Sequence, residues 1–259
     1  MLLAIDIGNT NMEFGIFDGD TLTSKFRLVT NRNTTADEVG LSTMQFFSIH
    51  GYDPKDVEDV IITSVVPQVM YSISHAMRKY LKKDPLIVGE NLEIPIENRY
   101  DNPREVGADR LVNSYAAFRK YSGPLIVVDF GTATTFDVVS KDGAYLGGLI
   151  YPGIKISMDA LFQNTAKLPR VELVKPARVI GKNTVDSMQA GAIYGYTGAV
   201  ANILSEINRE LGQAPAVIAT GGLASMIGGQ GDLFQTVDSS LTLEGLRMIY
   251  EHNRLACGK

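Results

Sequence analysis

The sequence predicts an α/β protein made of two similar domains, on two observations. Strand-like apolar runs alternate with helical patterns almost throughout the chain, the pattern expected of strands covered by helices. In addition, Leu3–Gly15 (LAIDIGNTNMEFG) and Ile126–Val138 (IVVDFGTATTFDV) are two versions of one unit. Each runs an apolar strand into an aspartate, a glycine two residues on, and a turn rich in Thr or Asn. Asp6 aligns with Asp129, Gly8 with Gly131, Asn9 with Thr132 and Asn11 with Thr134, all at an offset of 123 residues. Both copies then reach a second turn, Asp18-Gly19 and Asp142-Gly143, with one residue inserted between.

Taken in order, residues 2–30 read as antiparallel strands, with Asp18-Gly19 as a hairpin turn between Phe14–Phe17 and Leu22. Thr35-Ala36-Asp37-Glu38 is a capping box that opens a helix with Val39, Phe46 and Phe47 on its inner side. Val60-Ile61-Ile62 is a short buried strand. Pro67 then starts a helix with Val69, Ile73, Met77 and Leu81 at helical spacing. Leu86-Ile87-Val88 is another strand, and residues 91–105, with Pro95, Asn98, Asn102 and Pro103, read as loop. A helix over 106–121 places Leu111, Tyr115 and Phe118 on one face. Ser122-Gly123-Pro124 is the expected boundary, which divides the chain into domains 1–121 and 122–259.

The second copy supplies a strand region to residue 149, followed by a helix over 156–166. Thr184 is the expected cap of a long helix reaching Leu211, whose apolar stripe of Met188, Ile193, Tyr196, Val200, Ile203, Ile207 and Leu211 suits a core or a subunit interface. Val217–Thr220 is a strand ending in Gly221-Gly222, and a last helix spans 243–253.

Bulk properties exclude several classes of function. The net charge of −5, without a basic tract, makes nucleic acid and anionic membrane poor partners. The single cysteine, Cys257, excludes an internal disulfide and a cysteine-based metal cluster. The first apolar run is broken by Asp6 and carries no basic leader, so the chain reads as cytoplasmic.

The repeated turns point to a polyphosphate gripped by two related hairpins. A glycine after the strand lets backbone approach a ligand, and small polar residues offer N–H and hydroxyl donors to phosphate oxygens. An acidic residue beside phosphate requires a cation between them, so Asp6 is expected to hold Mg²⁺ through its waters, and Asp129 is the natural place for another cation. Neither a P-loop lysine motif nor a Gly-x-Gly-x-x-Gly fingerprint is present, leaving charge neutralisation to cations, backbone dipoles and arginine. Between the copies lies Tyr100-Asp101-Asn102-Pro103-Arg104-Glu105-Val106-Gly107-Ala108-Asp109-Arg110. Asp109, near a helix start, could accept a proton from a substrate hydroxyl, and Arg110 could pair with a substrate carboxylate. The same residues also suit an ordinary helix start with an acidic residue on its dipole. Thr220-Gly221-Gly222 could expose bare backbone to an adenine or ribose.

Together these segments resemble the acetate and sugar kinase, Hsp70 and actin superfamily, whose duplicated ribonuclease-H-like domains clamp ATP in a cleft between two Asp-containing hairpins. Asp6–Asn11 with Phe14-Gly15, Asp101-Asn102-Pro103, Val106–Arg110, Asp129–Thr135, Gly147-Gly148, Tyr151-Pro152-Gly153, Gly181–Thr184 and Ala219–Gly222 resemble the signatures of one family in it, type III pantothenate kinase. The resemblance implies transfer of the ATP γ-phosphoryl group to the 4′-hydroxyl of pantothenate, with Asp109 as proton acceptor. It places Tyr100, Gly107, Ala108, Asp109, Arg110 and Thr184 around pantothenate. It also places ATP on Asp6, Ile7, Gly8, Asn9, Thr10, Asn11, Met12, Glu13 and Thr132, and K⁺ or NH₄⁺ on Asp129. A homodimer with the pantothenate pocket at or near the interface is implied as well, so that Thr184 could act across subunits. Two alternatives share the ATP hairpins: a kinase of another small hydroxylated acid, and a non-catalytic ATP-binding regulator.

Overall fold

A computed structural model describes residues 1–228 and 233–256; Cys257 lies outside the described residues. In chain order the elements are β1 (Leu2–Ile7), β2 (Asn11–Asp18), β3 (Thr21–Val29), α1 (Ala36–His50), β4 (Asp59–Ser64), α2 (Pro67–Ala76), β5 (Leu86–Ile87) and α3 (Ala108–Tyr121). There follow β6 (Leu125–Phe130), β7 (Ala133–Val139), β8 (Tyr145–Pro152), α4 (Ile154–Gln163), α5 (Thr184–Leu211), β9 (Ala216–Thr220), α6 (Ala224–Gly228), β10 (Thr236–Val237) and α7 (Leu241–Ala256). The chain forms two compact units, one of Met1–Tyr121 with Ser240–Lys259 and one of Ser122–Ser239.

The first unit is a five-stranded sheet in the order β3-β2-β1-β4-β5. The β1–β2 and β2–β3 pairs are antiparallel, whereas β4 and β5 run parallel to β1. Alternation along β1 sorts its side chains to opposite faces. Leu3, Ile5 and Ile7 pack with Val39 and Phe47 of α1 and Val69 and Ile73 of α2. Leu2 and Ala4 pack with Val112 and Tyr115 of α3 and Leu243, Leu246 and Ile249 of α7. Phe46 reaches the first core by stacking on Phe26, which stacks on Phe14. The expected capping box is present: Glu38 N–H donates to Thr35 Oγ1 at 3.2 Å and Thr35 N–H to Glu38 at 2.7 Å.

The second unit repeats the plan, with strand order β10-β9-β6-β7-β8. Again the first three strands, β6, β7 and β8, form antiparallel pairs, and β9 and β10 extend the sheet in parallel. Ile126, Val128, Phe136 and Val138 face Ile193, Val200 and Leu204 of α5.

A second domain extending to residue 259 is corrected: α7 belongs to the first unit. Glycines explain the docking. A methyl on Gly245 would stand 2.8 Å from Val112 Cγ1 and 2.9 Å from the Val112 carbonyl, so α7 lies on α3 with backbone nearly touching. Polar ties secure it, from Thr242 Oγ1 to Asn113 Oδ1 at 2.7 Å, from Lys120 to Glu244 at 2.5 Å, and from the Tyr250 hydroxyl to Asp59. Smaller corrections concern helix ends and faces. Asn183, not Thr184, caps α5, its Oδ1 accepting the Asp186 N–H at 2.8 Å. The helices expected at 106–121, 156–166 and 243–253 run 108–121, 154–163 and 241–256. The buried face of α3 centres on Val112, Tyr115 and Ala116, with Leu111 and Phe118 half-buried. Past Ala76, the helix expected from Pro67 to Leu81 widens into a π turn over Met77–Leu81.

Candidate functional site

In the first unit, the β1–β2 turn is fixed from below and open above. Gly8 N–H donates to the Asn11 carbonyl at 3.0 Å. Thr30, just past β3, donates its N–H to the Thr10 carbonyl at 2.9 Å and its hydroxyl to the Gly8 carbonyl at 2.7 Å. Asn9 and Thr10 are exposed, while Asp6, Gly8 and Asn11 are half-buried. The side chains of Ile7 and Met12 are core, so only their backbone could serve a ligand. Glu13 is held by Lys25 at 3.5 Å and Arg27 at 3.2 Å.

Asp6 sits opposite Thr63 of β4 in the parallel register. Thr63 is fully buried, and its hydroxyl has no hydrogen-bond partner among the described residues. The ladder continues with Val65 N–H donating to the Ile7 carbonyl at 3.1 Å, and Val65 Cγ1 then lies 3.7 Å from where Gly107 would carry a Cβ. The ends of β1 and β4 thus meet the start of α3. A Cβ at Gly107 would stand 2.5 Å from Asp109 Oδ1, so a side chain there would displace that carboxylate. Asp109 is half-buried and takes the Arg110 N–H at 2.8 Å. Burial pushes its carboxyl above the usual aspartate range, partly offset by that N–H and by the Arg110 charge. Arg110 itself is buried. Tyr100 is half-buried in a loop fixed by its own N–H to Asn98 Oδ1 at 3.1 Å.

In the second unit, Asp129 pairs with Thr135 of β7 on one side and Thr220 of β9 on the other. Its carboxylate lies over two glycines: a methyl on Gly221 would stand 2.5 Å from Oδ1 and one on Gly131 3.7 Å from it. Gly221 also has φ +90°, a conformation that side chains resist. Thr132 is exposed, and its carbonyl would be 2.1 Å from a methyl on Gly153, so the start of α4 rests directly on this turn.

Thr184 lines a cavity of about 870 Å³ between α4 and α5, with Lys182, Asn183, Ser157, Ser187, Tyr151 and Tyr196 as its polar wall and Ile154, Met158, Leu161, Leu168 and Met188 as its apolar wall. The Tyr196 and Thr134 hydroxyls are hydrogen-bonded, linking this cavity to the second hairpin. No group of three or more His, Cys, Asp or Glu side chains converges as a metal site among the described residues. Among those residues no helix is long and apolar enough to cross a membrane.

Sequence reasoning singled out neither Thr63 nor Asp137, and it carried Thr135 only within the Asp129–Thr135 segment. Thr63 had a signal, because Ile62-Thr63-Ser64 and Ala219-Thr220-Gly221 are both small polar pairs closing a buried strand beside an aspartate. Thr135 and Asp137 became visible only when the register fixed which face they share.

Two such units, each with an aspartate before a polar turn at the end of its central strand, define the actin-like ATPase class. Similarity to solved structures agrees on the fold. The ethanolamine utilization protein EutJ of Carboxydothermus hydrogenoformans superposes with TM-score 0.58 at 14% identity, covering 95% of this chain and 89% of that one. The activator of 2-hydroxyisocaproyl-CoA dehydratase from Clostridium difficile, solved with ADPNP, gives 0.52 at 10% identity, covering 98% and 97%. Within that class the chain belongs to the type III pantothenate kinase family, whose sequence model matches residues 2–206. The type III pantothenate kinase of Moorella thermoacetica is 51% identical over 253 residues, 98% of this chain and 100% of that protein. The chain is therefore a phosphotransferase, and the family's reaction phosphorylates pantothenate for coenzyme A biosynthesis.

Proposed function

We propose that this kinase transfers the ATP γ-phosphoryl group to the 4′-hydroxyl of pantothenate with Asp109 as proton acceptor. The observation that supports the assignment is the bare side of Gly107, which faces both Asp109 Oδ1 and the side chain of Val65, tied to Ile7 at the end of β1, with the Asp109 carboxyl raised by burial. A base poised above the ordinary aspartate range suits a hydroxyl proton better than a fully solvated carboxylate. The substrate oxygen bonds to the γ-phosphorus, the bond to the ADP oxygen breaks, and the hydroxyl proton passes to Asp109. Arg110, next to it, supplies the charge for pantothenate's carboxylate. Tyr100, Gly107 and Ala108 complete that wall, and Thr184 contributes from its cavity.

The open turn Gly8–Asn11 and Thr132 offer donors to ATP, with Asp6, Ile7, Met12 and Glu13 framing the first hairpin. Asp6, half-buried at the end of β1, suits Mg²⁺ held through water, which leaves most of the ion's octahedron to solvent and phosphate. Asp129, seated over Gly131 and Gly221, suits K⁺ or NH₄⁺. Cations held by Asp6 and Asp129 would supply neutralisation of phosphate charge, since neither turn carries a lysine. A cytoplasmic homodimer fits the exposed Val179, Ile180, Val185 and Tyr194 around Thr184.

The test is ADP release with each component omitted in turn. Release should need pantothenate, Mg²⁺, and K⁺ or NH₄⁺ together, and turnover that ignores pantothenate would refute the assignment.

A further inference from the structure

The register places a row of polar side chains across one face of the second sheet. Asp129 is flanked by Thr135 on β7 and Thr220 on β9, and Asp238 follows one residue after the Val237–Ala219 pair, its N–H donating to the Ala219 carbonyl at 2.8 Å. None of these positions is basic. Two places along β7 on the same face is Asp137, fully buried, which accepts from the Thr135 hydroxyl at 2.9 Å and from the Tyr145 hydroxyl at 3.0 Å. Directly opposed residues in antiparallel strands have Cβ atoms about 5 Å apart, so Thr135 Oγ1 is within reach of whatever Asp129 holds.

A threonine hydroxyl has one proton and two lone pairs. Thr135 commits that proton to Asp137, so towards Asp129 it can only accept. An oxygen acceptor beside a carboxylate attracts a cation or another donor, never an anion. Tyr145, itself fully buried on the far side of Asp137, fixes the carboxylate that fixes the hydroxyl. Carboxylate and neutral hydroxyl oxygens together suit a large monovalent ion, and no group of three or more His, Cys, Asp or Glu side chains converges as a metal site among the described residues.

We propose that Thr135 supplies an oxygen ligand to the monovalent cation at Asp129, and that Asp137, braced by Tyr145, is the positioning residue that keeps this oxygen's lone pairs turned to the ion. The proposal rests on the Asp129 cation reading and adds to it the neutral half of the site. Outer partners of metal ligands typically change affinity ten- to a hundredfold, and a lost direct ligand belongs in the same range.

The experiment compares wild type with Thr135→Val, Thr135→Ser, Asp137→Asn and Asp129→Asn. Each is titrated with thallium(I) as a K⁺ stand-in by ²⁰⁵Tl NMR, with K⁺ half-saturation of turnover and thermal melting read in parallel. Thr135→Val should weaken thallium binding and raise the K⁺ requirement on the order of tenfold. Thr135→Ser should restore both. Asp137→Asn can present an amide N–H to Thr135 and turn its proton around, so it should reproduce the valine defect. Normal thallium and K⁺ dependence in Thr135→Val, with Asp129→Asn impaired, would overturn the proposal and leave the Asp129 reading standing. Normal dependence in both would remove that reading as well.

Discussion

The two sheets carry the same aspartate at the same place but compensate it in opposite ways. In the first, the row beside Asp6 reads Thr63, Asp6, Glu13 and Arg27, and Glu13 is already neutralised by Arg27 at 3.2 Å and Lys25 at 3.5 Å. In the second, the corresponding row reads Thr220, Asp129, Thr135 and Ile150, with Asp238 beyond Thr220 and no basic residue. The first row contains a basic residue of its own, and the second contains none. The same contrast appears at the strand ends. Ser64 closes β4 with its hydroxyl taking the Val66 N–H at 3.0 Å, a self-contained turn, whereas β9 closes on Gly221, whose missing side chain makes room for Asp129. The shared frame follows the repeat, and the neighbours of the two aspartates differ.

The largest effect should come from a residue that only the first unit possesses. Asp109→Asn should lower kcat by about 10²–10⁴-fold, the usual worth of a positioned general base, with ATP binding retained. In wild type the acid limb of kcat/KM should lie above the ordinary aspartate range, because burial raises the Asp109 carboxyl. The sign for stability follows from the same shift. A carboxyl raised in the folded state penalises folding once it ionises, so the asparagine variant should melt higher than wild type at neutral pH. That advantage should vanish as pH falls below the unfolded aspartate value of 3.8. A variant with near-normal turnover, or with an unchanged acid limb, would take the chemistry away from α3 and leave the two hairpins as equals.

The amount legible in sequence follows the range of the forces involved. The hairpins, the capping box and the paired aspartates are local patterns, so the repeat exposed them directly. Asp109 was also visible, because a helix start and its acidic residue are neighbours in the chain. What failed depends on contacts distant in sequence. The return of α7 to the first unit rests on Gly245 meeting Val112. The face of α3 shifted because α7 and β4 together select Val112, Tyr115 and Ala116 for burial. Asp137 looked like any polar strand residue until its register placed it beside Thr135 under a bare β8 glycine, Gly148.

A smaller effect should follow from closing the room beside Asp129. Gly221→Ala puts a methyl 2.5 Å from Oδ1 and asks alanine to hold φ +90°, which together should cost roughly 1–3 kcal/mol of stability. The K⁺ requirement should rise with it, whereas Ser64→Gly at the matching position should leave K⁺ dependence untouched and Tm almost so. Equal K⁺ defects in the two variants would mean that the strand ends are interchangeable and that the asymmetry lies elsewhere.

The smallest effect tests whether the first sheet's row is as self-sufficient as its ion pairs suggest. Thr63 has a fully buried hydroxyl with no partner among the described residues, beside Asp6. An orphaned buried hydroxyl costs about 1–3 kcal/mol, and replacing it by a methyl of the same shape removes that cost. Thr63→Val should therefore be neutral or stabilising by up to about 1 kcal/mol in chemical denaturation without ligands. If Asp6 works alone, the Mg²⁺ dependence of turnover should match wild type. A variant that is more stable yet needs more Mg²⁺ would show the hydroxyl being kept, at a cost in stability, for the loaded state. The Asp6 row would then share with the Asp129 row a threonine serving the cation site, and the contrast between the sheets would narrow to the basic residues at Glu13.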